Sequence, residues 1–309
     1  MKNNILIIGF GNIGQRHFQS FYASGEKFKI YIIDKNFKYT KNLIKKLYNT
    51  NSKIKIVVLN NLDKLKQKNF FLTIIATNSD VRFLIFQKLL SKLNSKHVIL
   101  EKITFKNNLE YKKSIQLIKN YSSIVWVNLA RREQSIIRHI KNKIKIKKKI
   151  IIKFYGSNWG MASNMIHFLD VFNWITNSKK ITYKENLDKK ICKAKREKFH
   201  EIKGKIEFKD NNKNLLKISD SKTHNKNIFE ISNDGNIYKI NDNILYLKLN
   251  KKKIIKKFSS NFQSKLTYKV YRKLLKNNFC NLPKLEDTKY IHEIFYAILA
   301  QKFKKYLFT

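Results

Sequence analysis

At 309 residues the chain has room for two ordinary domains with sizeable cores, and 43% hydrophobic content excludes wholesale disorder. The formal net charge of +45 has the sign that attracts nucleic acid and anionic surfaces. Yet Lys, Asn and Ile recur together along the whole chain, with the single proline Pro283, the pattern of coding from an AT-rich genome; solvated lysine faces are the preferred reading and nucleic acid the disfavoured one.

The first 120 residues alternate short apolar runs with helical patterns, the mark of βαβ units around a parallel sheet. Strands are expected at Ile5–Ile8, Lys29–Ile33, Ile54–Leu59, Phe71–Ala76, His97–Leu100 and Ile124–Leu129. Helices are expected at Ile13–Ala23, Tyr39–Tyr48, Val81–Leu90 and Leu109–Asn120. From about Tyr121 the pattern changes. A helix across Glu133–Lys141 leads into a strand at Ile150–Tyr155, a loop with Gly156 and Gly160, and a helix through Met165–Ile175. Residues 181–260 alternate as half-buried strands do, with turn signals at Asp210-Asn211-Asn212 and Asn233-Asp234-Gly235-Asn236. In Leu245-Tyr246-Leu247-Lys248-Leu249 the leucines share one side of the pleat, and a last helix runs from Leu285 to Phe303. The predicted fold class is α/β: an N-terminal Rossmann domain with a parallel sheet at 1–122, then an α+β domain with an open, largely antiparallel sheet at 123–309.

No segment approaches the roughly 18–20 uninterrupted apolar residues of a membrane span, and the apolar run at the start, Ile5–Ile8, is shorter than a signal-peptide core. Cys192 and Cys280 lie far apart and fit no metal or redox spacing, which suits a reducing compartment. These features lead us to expect a cytoplasmic protein with no membrane partner and no metal.

Gly9-Phe10-Gly11-Asn12-Ile13-Gly14 follows a buried strand and opens a helix, the context in which GxGxxG reads as a dinucleotide cradle. The first glycine permits the tight turn, the second lets backbone approach a pyrophosphate, and the third lets helix and strand pack closely. Exposed amides at the helix start, on Asn12, Ile13 and Gly14, then face the phosphates. Asp34 ends the second strand 20 residues after Gly14, where a carboxylate accepts hydrogen bonds from the adenosine ribose and repels a 2′-phosphate. NAD is therefore expected over NADP, with Lys35 beside Asp34 softening the preference.

Further landmarks are Ala76-Thr77-Asn78, Glu101-Lys102-Ile103, His167-x-x-Asp170 and Leu282-Pro283-x-Leu285-Glu286-Asp287. With the glycine motif, their order and spacing resemble the glucose–fructose oxidoreductase and inositol dehydrogenase family (Gfo/Idh/MocA) over essentially the whole chain. The resemblance implies NAD(P)-linked oxidation or reduction at a carbinol carbon of a sugar, cyclitol or nucleotide sugar. It also implies a homo-oligomer formed through the C-terminal sheet. By the same resemblance Lys102 faces the substrate hydroxyl, where an ammonium can stabilise an alkoxide or shuttle its proton. His167 falls where the family places a histidine opposite that lysine, and its neutral imidazole can accept the hydroxyl proton. Asp170, three residues on, either orients that imidazole or holds local structure.

Thr77, Asn78 and Glu101 stand at strand ends, in reach of a bound cofactor. Arg131 and Arg132 end the sixth strand, where a guanidinium suits a carboxylate or phosphate on the substrate; a solvated strand end is the plainer reading. Asn158 and Trp159, in the glycine-flanked loop, are expected to shape the substrate pocket or to form a structural turn. Two positions depart from the family pattern. Ser163 stands where the family commonly has Asp, four residues before the histidine, and Ile103 stands where it has proline after Glu-Lys. A cis bond costs little before proline and about 2.5–4 kcal/mol elsewhere, so the path around Lys102 is expected to differ. These departures keep a second reading open, a dinucleotide-binding protein of the same fold without turnover.

Overall fold

The computed structural model describes residues 2–48, 53–194, 196–224, 226–241, 244–249, 252–259, 262–303 and 306–308. The chain forms two compact units, residues 1–130 with 262–290, and residues 131–261 with 291–309. The expected boundary at 122/123 is thus displaced to 130, and a late segment returns to the first unit.

The first unit is built on six parallel strands, β1 (Asn4–Ile8), β2 (Phe28–Ile33), β3 (Ile54–Leu59), β4 (Asn69–Ile75), β5 (Asn94–Leu100) and β6 (Ile124–Val127). Their order, β3-β2-β1-β4-β5-β6, is that of the doubly wound dinucleotide fold. Helices α1 (Asn12–Tyr22), α2 (Phe37–Leu47), α3 (Ser79–Lys92) and α4 (Asn108–Ile118) make the crossovers. The near-continuous apolar runs of β1, β2 and β4 are explained by burial on both faces: Ile5, Leu6, Ile7, Ile30, Ile32, Leu72 and Ile74 are fully buried.

What returns to this unit is a helix the sequence pattern did not single out, Gln263–Asn277 (called α7 below). Its apolar stripe, Leu266, Val270, Tyr271 and Leu274, is buried. Tyr271 packs edge-on against Phe21, Phe28 and Phe71 at ring-centroid distances of 5.6, 5.3 and 5.4 Å. The Leu282–Asp287 landmark follows it. There Val127 N–H donates to Pro283 O and Leu285 N–H to Val125 O, both at 2.9 Å, so this segment extends the sheet beyond β6. The expected last helix opens with a 3₁₀ turn at Glu286–Thr288 and continues as Lys289–Phe303, here α8.

In the second unit a 3₁₀ turn at Ala130–Glu133, whose first residue still belongs to the first unit, precedes α5 (Ser135–Lys141); then come β7 (Ile150–Gly156) and α6 (Met161–Thr176). The remaining strands are β8 (Ile181–Leu187), β9 (Cys192–Lys193), β10 (His200–Glu201), β11 (Gly204–Asp210), β12 (Leu215–Asp220), β13 (Ile228–Asn233), β14 (Asn236–Asn241), β15 (Ile244–Leu249) and β16 (Lys252–Lys257). Seven of these and β7 form one sheet in the order β16-β15-β14-β13-β7-β12-β11-β8, and β9 and β10 form a small separate ribbon. The large sheet is antiparallel except where β7 meets β12. Both turn signals fall where expected, the second with Asp234 and Gly235 at φ +49° and +74°, as a tight hairpin requires. Leu245 is buried and Leu247 half-buried; the side chain of Leu249 lies outside the described residues. Ile152, Phe154, Leu216, Ile218, Phe229 and Ile231 share the buried side of the sheet, and Phe168 of α6 stacks on Phe154 at 4.1 Å. Among the described residues no helix is long and apolar enough to cross a membrane.

Candidate functional site

In the first unit the candidate residues stand at the carboxyl ends of the parallel strands. Gly9, next after β1, has φ +88°, and a Cβ there would lie 2.9 Å from Thr77 N. Its N–H donates to Ile33 O at 2.8 Å, holding the turn against the end of β2. Gly14 is equally constrained, because its Cβ would lie 2.0 Å from Gly9 O. At Gly11 a Cβ would meet nothing within 4 Å. Two glycines are thus required by the protein's own packing, while the third leaves open backbone at the head of α1, as close approach of a pyrophosphate demands. The first turn of α1 contains no acidic residue, and the amides of Asn12, Ile13 and Gly14 precede the first helical bond, Gln15 N–H to Gly11 O. These features fit a dinucleotide.

Asp34 supports the same loop. Its Oδ2 accepts Phe10 N–H at 2.7 Å and its Oδ1 accepts Asn36 N–H at 2.8 Å. Each oxygen keeps a lone pair, so ribose recognition and loop support are compatible.

Thr77 and Asn78 follow β4, and Glu101 and Lys102 follow β5. A residue that sequence reasoning missed ties these turns together. Arg82 of α3 is 1% exposed, and its guanidinium donates to the carbonyl oxygens of Thr77, Glu101, Ile103 and Thr104. Its signal was available: Ser79, Arg82, Phe83, Phe86, Leu89 and Leu90 form the buried stripe of α3, so this arginine falls on an apolar face. Glu101 is a buried carboxylate that accepts His17 Nε2–H at 2.9 Å and an Asn128 amide proton. His17 Nδ1 in turn lies 2.8 Å from Thr267 Oγ1 on α7. Burial works to raise the Glu101 pKa, but the bonds from His17 and Asn128 and the charge of Arg82 outweigh it and hold the group below the usual carboxylate range. Glu101 is thereby committed to the frame behind Lys102, which is itself half-buried. The Lys102–Ile103 peptide is cis, so isoleucine does not impose the trans path here.

In the second unit the structure separates two neighbouring arginines. Arg132 makes a bidentate pair with Asp170, Nε to Oδ2 at 2.8 Å and Nη2 to Oδ1 at 2.5 Å. Asp170 is fully buried, and desolvation raises its pKa despite the Arg132 charge. Both oxygens of Asp170 are held by Arg132, which favours local structure over orienting His167. Arg131 lies over Phe168 at 4.3 Å and over Phe229 at 5.5 Å. Its Nε is buried without a hydrogen-bond partner, and burial lowers its pKa to about 10. Among the described residues no carboxylate pairs with it, and a guanidinium set against aromatic faces in this way suits an anion.

Asn158 and Trp159 act as a structural turn. Asn158 has φ +53°, its side-chain oxygen accepts Lys203 Nζ at 2.6 Å, and both backbone amides are received by Asp220 at 2.8 and 3.1 Å. The Trp159 indole donates to Ser219 O at 3.0 Å. Among the described residues no group of three or more His, Cys, Asp or Glu side chains is arranged to hold a metal ion.

Residues 3–129 match the family model described as an oxidoreductase family with an NAD-binding Rossmann fold, Gfo/Idh/MocA. None of the curated proteins matches the sequence. Among solved structures, a dehydrogenase (MviM) from Clostridium difficile superposes with a TM-score of 0.76 at 17% identity, covering 97% of this chain and 100% of that one. A UDP-N-acetylglucosamine 3-dehydrogenase, GnnA, from Acidithiobacillus ferrooxidans gives 0.72 at 10%, covering 96% and 97%. A super-repressor mutant of Gal80p from Saccharomyces cerevisiae gives 0.75 at 12%, covering 99% and 97%. At such identities the likeness concerns the fold. The Gfo/Idh/MocA match falls on the unit that holds the glycine cradle, Asp34, Thr77 and Lys102, and His167, Arg131 and Arg132 lie beyond it.

Proposed function

We propose that this chain is an NAD-dependent oxidoreductase acting at a secondary alcohol or ketone carbon of a sugar-like substrate. The observation that carries the reading is the Gly9–Gly14 cradle with the Asp34 carboxylate at the adjoining strand end. Asn12, Ile13 and Gly14 would hold the diphosphate, Asp34 the adenosine ribose, and Thr77 and Asn78 the other ribose. NAD is preferred to NADP because the Asp34 charge opposes a 2′-phosphate. When bound, the nicotinamide supplies the hydride acceptor or donor. Lys102 stabilises the alkoxide and His167 takes or returns the hydroxyl proton. Arg131 is the better of the two arginines for an anionic substituent, because Arg132 is already neutralised by Asp170.

Calorimetry with NADH and NADPH tests the cradle, and NADH absorbance with a panel of sugars, cyclitols and nucleotide sugars tests turnover. Lys102→Ala is expected to lower kcat by roughly 10²–10⁴-fold with NADH affinity retained. Unchanged turnover would remove Lys102 from the chemistry, and absence of binding to either dinucleotide would end the whole reading.

Ser163 motivates the second reading, a dinucleotide-binding protein without turnover, and the fold's likeness to a super-repressor means that architecture alone does not argue for catalysis. Saturable NADH binding with no substrate-dependent oxidation across the panel would favour it.

A further inference from the structure

Strands β8 and β11 pair in register from Asp210↔Ile181 to Gly204↔Leu187. Residues 188–203 leave the sheet between them, in an excursion closed by Asp188 N–H to Lys203 O at 3.0 Å. The excursion carries β9 and β10 and is anchored by buried Phe199 and Ile202. Near its end Glu201 lies against the first turn of α6. One carboxylate oxygen accepts the Ser163 hydroxyl, and the other accepts Ser163 N–H at 3.2 Å. Gly160 makes room for this contact, since a Cβ there would lie 3.0 Å from Glu201 Oε1 and 2.8 Å from Ser163 Oγ.

The first turn of α6 has no acid of its own, so β10 supplies the negative charge that a helix N-terminus favours. Register points beyond capping. Ser163 and His167 stand four residues apart and share a face of α6. Both are half-buried, whereas Met165, Ile166, Phe168 and Leu169 are fully buried. The carboxylate therefore stands at the head of the face that presents His167. Among the described residues of this unit, Arg132 is attached to Asp170, Arg131 lies over Phe168, Lys141 donates to Trp174 O, and Asp220 receives the amides of residues 158 and 159.

We infer that Glu201 is a positioning residue for proton transfer at His167 and supplies the carboxylate that position 163 lacks. This rests on the hydride-transfer reading. With a dinucleotide bound, the nicotinamide would accept the hydride of the substrate carbon in oxidation, and the hydroxyl would give its proton to His167, leaving a carbonyl and an imidazolium; reduction would return both. The Glu201 charge favours that imidazolium. Its hold on the Ser163 hydroxyl also turns the Ser163 proton away, leaving the oxygen to accept a hydrogen bond from the substrate.

Steady-state kinetics on wild type, Glu201→Gln, and Glu201→Gln combined with Ser163→Asp test the inference, with NADH affinity and melting temperature measured on each. Glu201→Gln is expected to lower kcat by about 10²-fold while substrate KM, NADH affinity and melting temperature stay near wild type. Adding Ser163→Asp restores most of the loss, because the carboxylate is returned to the same helix face. Wild-type kcat in Glu201→Gln, or a loss that Ser163→Asp does not restore, overturns the positioning role alone. Wild-type protein that turns over no substrate in the panel overturns the hydride-transfer reading and this inference with it.

Discussion

The two units hold their polar groups in different ways. In the first, candidates stand at the ends of neighbouring parallel strands, and one buried arginine, Arg82, binds the turns after β4 and β5 to each other. In the second, the central pairs join residues 38 positions apart, Arg132 with Asp170 and Ser163 with Glu201. A parallel sheet sends every carboxyl end to one edge, so the place of a motif in the sequence is its place in space. An antiparallel sheet with an excursion brings a charge from a distant strand, so the local sequence does not say which acid serves a site. The first arrangement fails through local geometry, and the second through loss of a partner.

The largest test of this contrast in stability is Arg132→Ala. It strands a fully buried carboxyl and is expected to cost about 3–5 kcal/mol, read by urea unfolding at pH 7. The sign of the pH effect follows from Asp170. Burial raises its folded pKa above the ordinary 3.8, and losing Arg132 raises it further. The folded state then binds the proton more tightly than the unfolded chain, so the deficit shrinks as pH falls toward 4. Replacing both partners, Arg132→Met with Asp170→Leu, should recover most of the loss. A deficit independent of pH, or no recovery, would mean that the pair is not what holds α6 to the turn before α5.

A somewhat smaller effect belongs to His97 in the first unit, buried beside Phe71 and accepting the Trp126 indole N–H at 3.3 Å. Burial, aided by the charge of Lys96, pushes its pKa down to about 4. Because the unfolded histidine titrates near 6.5, stability is complete above that value. It declines as pH falls from 6.5 to 4, by up to roughly 3 kcal/mol. His97→Phe should remove this dependence, seen as a wild-type-minus-variant difference in urea midpoints that falls as pH drops through that window. An identical slope in both proteins would show that other groups govern the acid limb, and the first unit would lose its distinctive pH response.

What was legible in the sequence follows the same division. The Rossmann strands were readable because Ile5–Ile8, Ile30–Ile33 and Leu72–Ile75 are buried on both sides and form continuous apolar runs. Gly9, Gly14 and Asp34 were readable because their spacing is local. Helix α7 was not singled out because it lies after the strand-rich stretch, and its return to the first unit is a tertiary event that periodicity does not encode. Nor could spacing foresee that Asp170 would be taken by Arg132, since helix position places an acid on a face without naming its partner. Glu201 carried no signal at all: it sits in a two-residue strand, and its relation to Ser163 exists only once residues 188–203 have left the sheet.

Asp34 gives the smallest effect and the sharpest test of local reading, because the structure gives it a job independent of any ligand. Its carboxylate already receives Phe10 N–H and Asn36 N–H, so Asp34→Ala loosens the loop as well as removing the ribose partner. Loss of charged hydrogen bonds should weaken NADH by about 1.5–3 kcal/mol, roughly 10- to 150-fold. Loop loosening acts on NADH and NADPH alike, whereas removing the charge relieves repulsion only for the 2′-phosphate. Titrating both dinucleotides by calorimetry separates the contributions: the NADH-to-NADPH affinity ratio should fall in the variant. If both affinities drop together, Asp34 serves the Gly9–Gly14 turn and not the ribose. Cofactor preference would then have to come from other residues at the end of β2, beginning with Lys35, whose ammonium would favour the phosphate instead.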